Sequence, residues 1–169
     1  MKKKISGMRV SSLRTRSQLS DLDVVTVAFW DKGKNGNLGR GLVLRIKQKE
    51  LDMITPFYLL EHLTKWRHIT LKEQIEDFYI KNSSKLLTNE DVDTKIDELG
   101  IDDIRVLLEL QSKGIKEDDA FIVLVTSIFD ADYLVTFNRK HLRNKEKEIN
   151  EVLKKNELRT IRIVGPEEA

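Results

Sequence analysis

Residues 118–138 constrain the fold most, because an apolar helix is followed there by a short apolar strand. Residues 121–129 are too apolar on all sides for a surface helix, which predicts a helix packed inside a layered domain. Tyr133-Leu-Val-Thr136 predicts a buried strand. A helix leading directly into a strand is typical of the crossovers of a parallel α/β sheet. The predicted fold class is therefore α/β with a central parallel sheet.

The rest of the hydrophobic pattern also alternates between strands and helices. Strands are predicted at residues 51–55 and 159–164, and helices near residues 24–30, 42–46, 59–63, 71–80, 92–99 and 104–110. Thr55 is the expected cap of the helix that Pro56 opens, and Asp102 or Asp103 that of the helix ended by Gly114. Neither an internal repeat nor a low-complexity linker divides the chain. We predict a basic segment at residues 1–18 and a single domain at residues 19–169.

The charges are nearly balanced but unevenly distributed. The chain of 169 residues has a net charge of +2, which is too small to indicate a nucleic-acid-binding protein unaided. Two basic clusters stand out: Lys2, Lys3, Lys4, Arg9, Arg14 and Arg16 before the first acid, and Arg139, Lys140, Arg143, Lys145 and Lys147 after Asn138. A basic rim beside an acidic pocket suits a phosphodiester substrate. A solvated surface explains the first cluster equally well.

Several classes of protein are excluded by composition. The chain has no cysteine, which excludes disulfides, zinc–thiolate sites and thiol nucleophiles. Its three histidines form no i, i+4 pair, so zinc hydrolase and triad chemistry are poor interpretations. No apolar run approaches the roughly 18 residues that a membrane span needs. We therefore expect a cytoplasmic protein that does not enter a membrane.

Acidic and polar side chains stand at the ends of several predicted elements. Asp119 begins the buried helix, while Thr136 and Asn138 follow the strand after it. Functional side chains gather at the carboxyl ends of parallel strands, and hard cations are held by carboxylates. Such a site can activate water and neutralise developing charge during phosphodiester cleavage. Without further context, however, Asp119 is more simply a helix cap.

Four motifs together resemble the PIN-domain ribonucleases, including the toxins of VapBC-type toxin–antitoxin pairs. They are Asp-Leu-Asp-Val-Val at 21–25, Thr-Pro-Phe-Tyr-Leu-Leu-Glu at 55–61, Asp-Asp-Ala at 118–120 and Leu-Val-Thr-Phe-Asn-Arg-Lys-His-Leu at 134–142. The resemblance spans residues 19–169. It implies a three-layer α/β/α PIN-like fold, a metal-dependent endoribonuclease that uses Mg²⁺ or Mn²⁺, and a homodimer. For a toxin it further implies an antitoxin protein as partner.

The resemblance also implies a set of site residues. Asp21, Glu61 and Asp119 match the catalytic acids of the family. The expected metal ligands are Asp21, Asp23, Glu61, Asp119 and Asn138, and the expected RNA contacts are Thr136, Asn138, Arg139, Lys140, His141 and Arg143. The fourth acid common in the family is replaced here, since Asn138 and His141 fill that region.

Two questions stay open at this level. Residues 14–20 lack the apolar run of a buried strand, so either the first strand is short and peripheral, or the register is shifted and Asp23 is the first acid. Asn138 is either a site residue or a turn residue in a left-handed conformation. Two functions follow: a PIN-type endoribonuclease, or a PIN-fold RNA-binding or interaction protein whose catalytic set has eroded.

Overall fold

The computed structural model describes residues 15–169. All residues of the first basic cluster except Arg16 precede residue 15 and lie outside the described residues. The elements in chain order are β1 (Arg16–Ser20), α1 (Leu22–Trp30), α2 (Lys34–Lys47), β2 (Leu51–Pro56), α3 (Phe57–Leu63), α4 (Ile69–Asn82), β3 (Lys85–Leu87), α5 (Asn89–Leu99), α6 (Asp103–Ser112), α7 (Glu117–Ile128), β4 (Tyr133–Val135), α8 (Glu146–Lys155) and β5 (Arg162–Val164). Short 3₁₀ turns occupy Arg143–Lys145 and Pro166–Glu168.

The five strands form one parallel sheet in the order β3-β2-β1-β4-β5. Helices flank this sheet, which confirms the predicted three-layer α/β class. Because every strand runs in the same direction, all five carboxyl ends lie at one edge of the sheet. No helix among residues 15–169 combines the length and the apolar character needed to cross a membrane.

The polar strand β1 lies at the centre of the sheet, so the expectation of a peripheral strand is wrong. Its polar side chains Gln18 and Ser20 are fully buried. The Ser20 hydroxyl donates to the Gln18 side-chain oxygen, and the Gln18 amide donates to the Asp52 carbonyl oxygen at 3.4 Å. Paired polar groups can be buried without a large desolvation penalty. The strand begins at Arg16, ahead of the predicted domain boundary after residue 18.

Helix α7 is an interior helix, as its apolar sequence predicts. Its residues from Ile122 to Ile128 are all buried, and α7 packs against β1 and β4. A turn with Asp130 in a left-handed conformation (φ 58°) leads from α7 into β4, whose three residues are buried. This connection fixes the position of the start of α7 relative to the centre of the sheet.

One of the two predicted helix caps is present. The Asp102 carboxylate accepts a hydrogen bond from the Arg105 backbone N–H at 3.1 Å and caps α6. The prediction for Thr55 is wrong, because α3 begins one residue later than expected and Pro56 occupies the cap position. The Thr55 hydroxyl instead hydrogen-bonds the Ser83 hydroxyl at 2.6 Å.

Candidate functional site

Two aspartates stand where the central strand β1 meets helix α1. Asp21 directly follows β1 and caps α1, because its Oδ1 accepts a hydrogen bond from the Leu22 N–H at 2.8 Å. Asp23 lies in the first turn of the same helix. The next strand, β4, pairs with β1 and is followed by Thr136. The carboxyl ends of two neighbouring strands therefore bring Thr136 to both aspartates.

Thr136 joins the two carboxylates. Its fully buried hydroxyl lies 2.9 Å from Asp21 Oδ2 and 3.2 Å from Asp23 Oδ2. A hydroxyl has one proton to donate, so it serves one carboxylate at a time. Asp23 Oδ2 also accepts the Phe137 backbone N–H at 3.1 Å. The other oxygen, Asp23 Oδ1, is buried and has no hydrogen-bond partner among residues 15–169.

The carboxyl groups of Asp21 and Asp23 are difficult to ionise in this position. Burial, followed by the nearby charge of Asp23, raises the pKa of Asp21 from 3.8 to about 7. Burial likewise raises the pKa of Asp23 from 3.8 to about 6, against the opposing effect of its hydrogen bonds from Phe137 and Thr136. The charge of Asp119 raises the pKa of both. These acids are thus crowded, desolvated and short of compensating positive charge.

Asp119 lies in the first turn of α7, but it does not cap the helix. The cap position belongs to Lys116, which contributes no side-chain hydrogen bond, so the interpretation of Asp119 as the cap is wrong. Burial and the neighbouring Asp118 raise the pKa of Asp119, while Lys116 and His141 act in the opposite direction. The charge of Asp119 raises the pKa of Asp21 and Asp23, so Asp119 lies within electrostatic range of both. We call Asp21, Asp23 and Asp119 the acidic site.

The chemistry of the acidic site fits a hard divalent cation. It offers carboxylate oxygens, the ligands that Mg²⁺ and related cations prefer, and one of them is buried without a hydrogen bond. A cation there would also relieve the repulsion between the acids. As the side chains stand, no group of three His, Cys, Asp or Glu residues within 15–169 is arranged to hold a metal ion. The fit therefore rests on ligand chemistry and burial.

Glu61 stands apart from the acidic site. It lies on α3, is exposed, and its carboxylate accepts a hydrogen bond from the Asn89 side-chain amide at 3.3 Å. It lines a cavity of about 670 Å³ together with Tyr58, His62, Thr64, Lys65 and Asp118. The Tyr58 hydroxyl donates to the Asp118 carboxylate across this cavity. Glu61 thus shares this cavity with Asp118 at the start of α7 and is exposed to solvent, whereas Asp21, Asp23 and Asp119 are half-buried.

Asn138 holds the turn that follows β4. Its side-chain oxygen accepts the His141 backbone N–H at 3.0 Å, and its own N–H donates to the Thr136 hydroxyl at 3.1 Å. Asn138 is thus a turn residue, which was one of the two interpretations of its sequence position, although its backbone is not in a left-handed conformation. A contact through Thr136 connects the turn to the aspartates.

The predicted RNA-binding segment divides into two kinds of basic residue. Arg139 and Lys140 are exposed, and the charge of His141 acts on Asp119. Arg143 differs, because its side chain is only 12% exposed and its guanidinium lies 2.5 Å from the Glu168 carboxylate. Arg143 therefore fastens the last turn of the chain rather than offering a free charge.

Tyr79, which is not among the predicted site residues, lies next to the acidic site. Its ring is fully buried in α4, and its hydroxyl donates to the Ser20 carbonyl oxygen at 2.8 Å. Burial, then the charges of Asp21 and Asp23, raise its pKa well above the usual value. In the sequence Tyr79 reads as one more apolar position of a helix. Its hydroxyl could have pointed to this contact, because a buried tyrosine hydroxyl usually finds a hydrogen-bond partner.

Comparison with known proteins supports the fold. No family model matches this sequence, and no curated protein matches it. Among solved structures, the chain is similar to a chain in the crystal structure of VapBC2 from Rickettsia felis bound to a DNA fragment from their promoter, with a TM-score of 0.57 and 14% sequence identity. The similarity covers 88% of this chain and 98% of that chain. The chain therefore has a PIN-like α/β fold of the kind found in VapBC complexes.

Proposed function

We propose that this protein is a divalent-metal-dependent endoribonuclease of PIN type and the toxin of a toxin–antitoxin pair. One observation carries the proposal. Asp21 and Asp23 at the start of α1 and Asp119 at the start of α7 lie within electrostatic range of one another, and partial burial raises the pKa of each. Burying acids without a cation is unfavourable, and perturbed acids of this kind are typical of functional sites. The fold similarity supports the same interpretation.

The residues have distinct proposed roles. Asp21, Asp23 and Asp119 hold Mg²⁺ or Mn²⁺, and Thr136 orients the first two through its hydroxyl. When bound, such a cation supplies positive charge for the phosphodiester oxygens and makes water a better nucleophile near neutral pH.

The remaining site residues act around this centre. Glu61, exposed at the rim, orients the attacking water, and Asn138 acts through the turn that carries His141. Arg139, Lys140 and His141 contact phosphates of the RNA. Arg143 was expected to join them, but its pairing with Glu168 favours a supporting role.

The proposed partners are RNA, an antitoxin protein and a second copy of the chain. The antitoxin is suggested by the similarity to a VapBC complex. Co-expression with the product of an adjacent small gene, followed by co-purification, tests this part. Purification of the chain alone from that mixture would contradict it.

The nuclease proposal is tested by cleavage of a panel of single-stranded RNAs with Mg²⁺ or Mn²⁺, and with EDTA. We expect wild-type cleavage that EDTA abolishes and that Asp119→Asn loses, because the substitution removes a negative ligand and keeps the shape. The matched control is Asp118→Asn, which changes the adjacent, exposed residue that pairs with Tyr58. Cleavage in EDTA, or equal losses in both variants, would contradict the proposal.

A second function is favoured by two observations. Glu61 is exposed, and the Asn138 side chain is hydrogen-bonded within a turn. Among residues 15–169, the set of acids that the resemblance to PIN-domain ribonucleases implies is therefore incomplete around the three aspartates. A PIN-fold RNA-binding or interaction protein with an eroded catalytic set would have this appearance. Metal-independent RNA binding by wild type, without cleavage under any divalent cation, would establish this alternative.

A further inference from the structure

A cluster of arginines lies at the other end of the sheet from the acidic site. Arg16, Arg159 and Arg162, which we call the arginine cluster, line a cavity of about 440 Å³ together with Asp132, Tyr133 and Thr160. Arg16 and Arg162 begin strands β1 and β5. The amino ends of parallel strands share one edge, and the chain covers roughly 17 Å along β1 between Arg16 at this edge and Asp21. The cavity is thus separate from the acidic site.

Sheet register aims two of these arginines at one tyrosine. Tyr133 lies opposite Gln18 on one side and opposite Arg162 on the other. Arg16 precedes Gln18 by two residues, so it projects from the same face of the sheet. The guanidinium carbons of Arg16 and Arg162 each lie 5.8 Å from the centre of the Tyr133 ring. Arg16 also donates a hydrogen bond to the Tyr133 hydroxyl.

The positive charges of the cluster are only partly compensated. Arg159 lies 3.3 Å from Asp132 and 4.0 Å from Asp130. The Asp132 carboxylate also accepts the Ser17 backbone N–H at 2.9 Å. Within residues 15–169, neither Arg16 nor Arg162 has a carboxylate within ion-pair distance. Two like charges are therefore held against the same buried ring, where an anion would stabilise them.

We propose that the arginine cluster is a phosphate-binding site. Guanidinium groups match the geometry of phosphate oxygens and bind them through paired hydrogen bonds. The Thr160 hydroxyl at the cavity wall adds a further donor. The cavity volume lies within the usual range for small-ligand sites, which suits a nucleotide or one phosphate of an oligonucleotide. The site does not depend on the proposed nuclease activity, because it uses none of the acidic-site residues.

The first test uses inorganic phosphate and adenosine 5′-monophosphate in EDTA, followed by NMR of arginine side-chain N–H signals. We expect both ligands to shift two signals, identified as Arg16 and Arg162 by their loss in Arg16→Lys and Arg162→Lys. These variants keep the charge and the fold while removing the guanidinium. Shifts of other arginine signals alone, or no shifts at millimolar ligand, would overturn the proposal.

The second test separates an oligonucleotide from a free nucleotide. Binding of a fluorescent single-stranded RNA is measured by anisotropy across a range of salt concentrations, again in EDTA. Loss of two phosphate contacts in the double variant Arg16→Gln, Arg162→Gln should weaken binding and reduce the salt slope by about 1.4. The control is Arg67→Gln, which removes one positive charge at an exposed position that does not line the cavity, and its effect is compared per charge removed.

The outcomes of the two tests are distinct. When phosphate also shifts the two arginine signals, an RNA effect specific to the double variant assigns the site to RNA phosphates. Phosphate and monophosphate shifts with unchanged RNA binding assign it to a free nucleotide. If Arg67→Gln weakens RNA binding as much for each charge removed as the double variant does, and phosphate shifts no arginine signal, the proposed site is wrong. Because EDTA is present throughout, failure of the nuclease proposal would leave these results unchanged.

Discussion

The buried hydroxyl of Tyr79 donates a 2.8 Å hydrogen bond to the carbonyl oxygen of Ser20, the last residue of the central strand. Asp21 follows immediately, so a residue of α4 supports the point at which the chain turns into the acidic site. The charges of Asp21 and Asp23 also raise the pKa of the Tyr79 hydroxyl. Strand end, tyrosine and acids thus form one connected unit.

Tyr79→Phe should destabilise the protein by about 1–2 kcal/mol, because it removes a buried donor from a carbonyl oxygen. Urea unfolding monitored by circular dichroism measures this. Tyr58→Phe is the matched control, since its hydroxyl bonds the exposed Asp118 carboxylate and should matter much less. Equal effects of the two substitutions would show that burial of the Tyr79 hydroxyl contributes nothing special.

Without metal, stability should fall as the pH rises from about 4 to about 8. Asp21 and Asp23 have pKa values raised from 3.8 to about 7 and about 6, so the folded state binds more protons than the unfolded state in this interval. Their stabilising contribution is complete below the unfolded pKa and is lost as the pH passes the folded values. At about 1.4 kcal/mol per pKa unit, the two shifts together correspond to a loss of several kcal/mol.

This pH dependence is measured by unfolding in EDTA at several pH values. The variant Asp21→Asn, Asp23→Asn should lose much less stability over the same interval, because its amides do not titrate. Wild type and variant with parallel pH profiles would show that these carboxyl groups are not perturbed.

Added Mn²⁺ should raise the melting temperature of wild type at neutral pH, since a ligand that binds only the folded state stabilises it. Asp119→Asn should abolish the increase. Glu61→Gln should keep it and yet lower RNA cleavage, because exposed Glu61 is proposed to orient water and not to hold the cation. A Glu61→Gln variant that no longer responds to Mn²⁺ would make Glu61 a ligand instead.

Arg139→Ala with Lys140→Ala should weaken RNA binding and reduce its salt slope by about 1.4, through the loss of two phosphate contacts. Arg143→Ala should act differently, by lowering stability, because its guanidinium is paired with Glu168. Anisotropy and thermal melts separate the two effects. A reduced salt slope in Arg143→Ala at unchanged stability would return Arg143 to the RNA-binding set.

We expect a homodimer in which Trp30 contributes to the interface. Trp30 is 62% exposed, whereas Trp66 is partly buried against the core. Trp30→Ser should convert the dimer into a monomer in sedimentation velocity at tens of micromolar. Ile104→Ser changes a similarly exposed residue on α6 and serves as the control. A wild-type monomer, or dissociation only in the control, would contradict the assignment.

The helices and strands in the interior of the protein were predictable, because segments so rich in apolar residues are stable only when they are buried. Helix α7 and strand β4 are examples. The central position of β1 was not predictable from pattern, since its buried Gln18 and Ser20 satisfy each other through a bond that only the folded strand shows. Strand β3 was overlooked, because it opens with the exposed Lys85 and only its last residue is buried, which gives no strand pattern in the sequence.

The site was partly predictable for similar reasons. Asp21, Asp23 and Thr136 follow strands that turn out to be neighbours, so position along the chain was a sufficient guide. The exposure of Glu61 and the engagement of Arg143 depend on partners far away in the sequence, Asn89 and Glu168. No local pattern could have indicated these contacts.

The strand order has a consequence for the synthesis of the chain. The central strand β1 is synthesised well before its partner β4, since Gln18 pairs with Tyr133 far along the chain. Until then one edge of β1 stays unpaired, with its buried polar side chains exposed to water. Pairings of such long sequence separation slow folding and prolong exposure to aggregation. The nascent protein should therefore depend on protection of β1 until β4 has been translated.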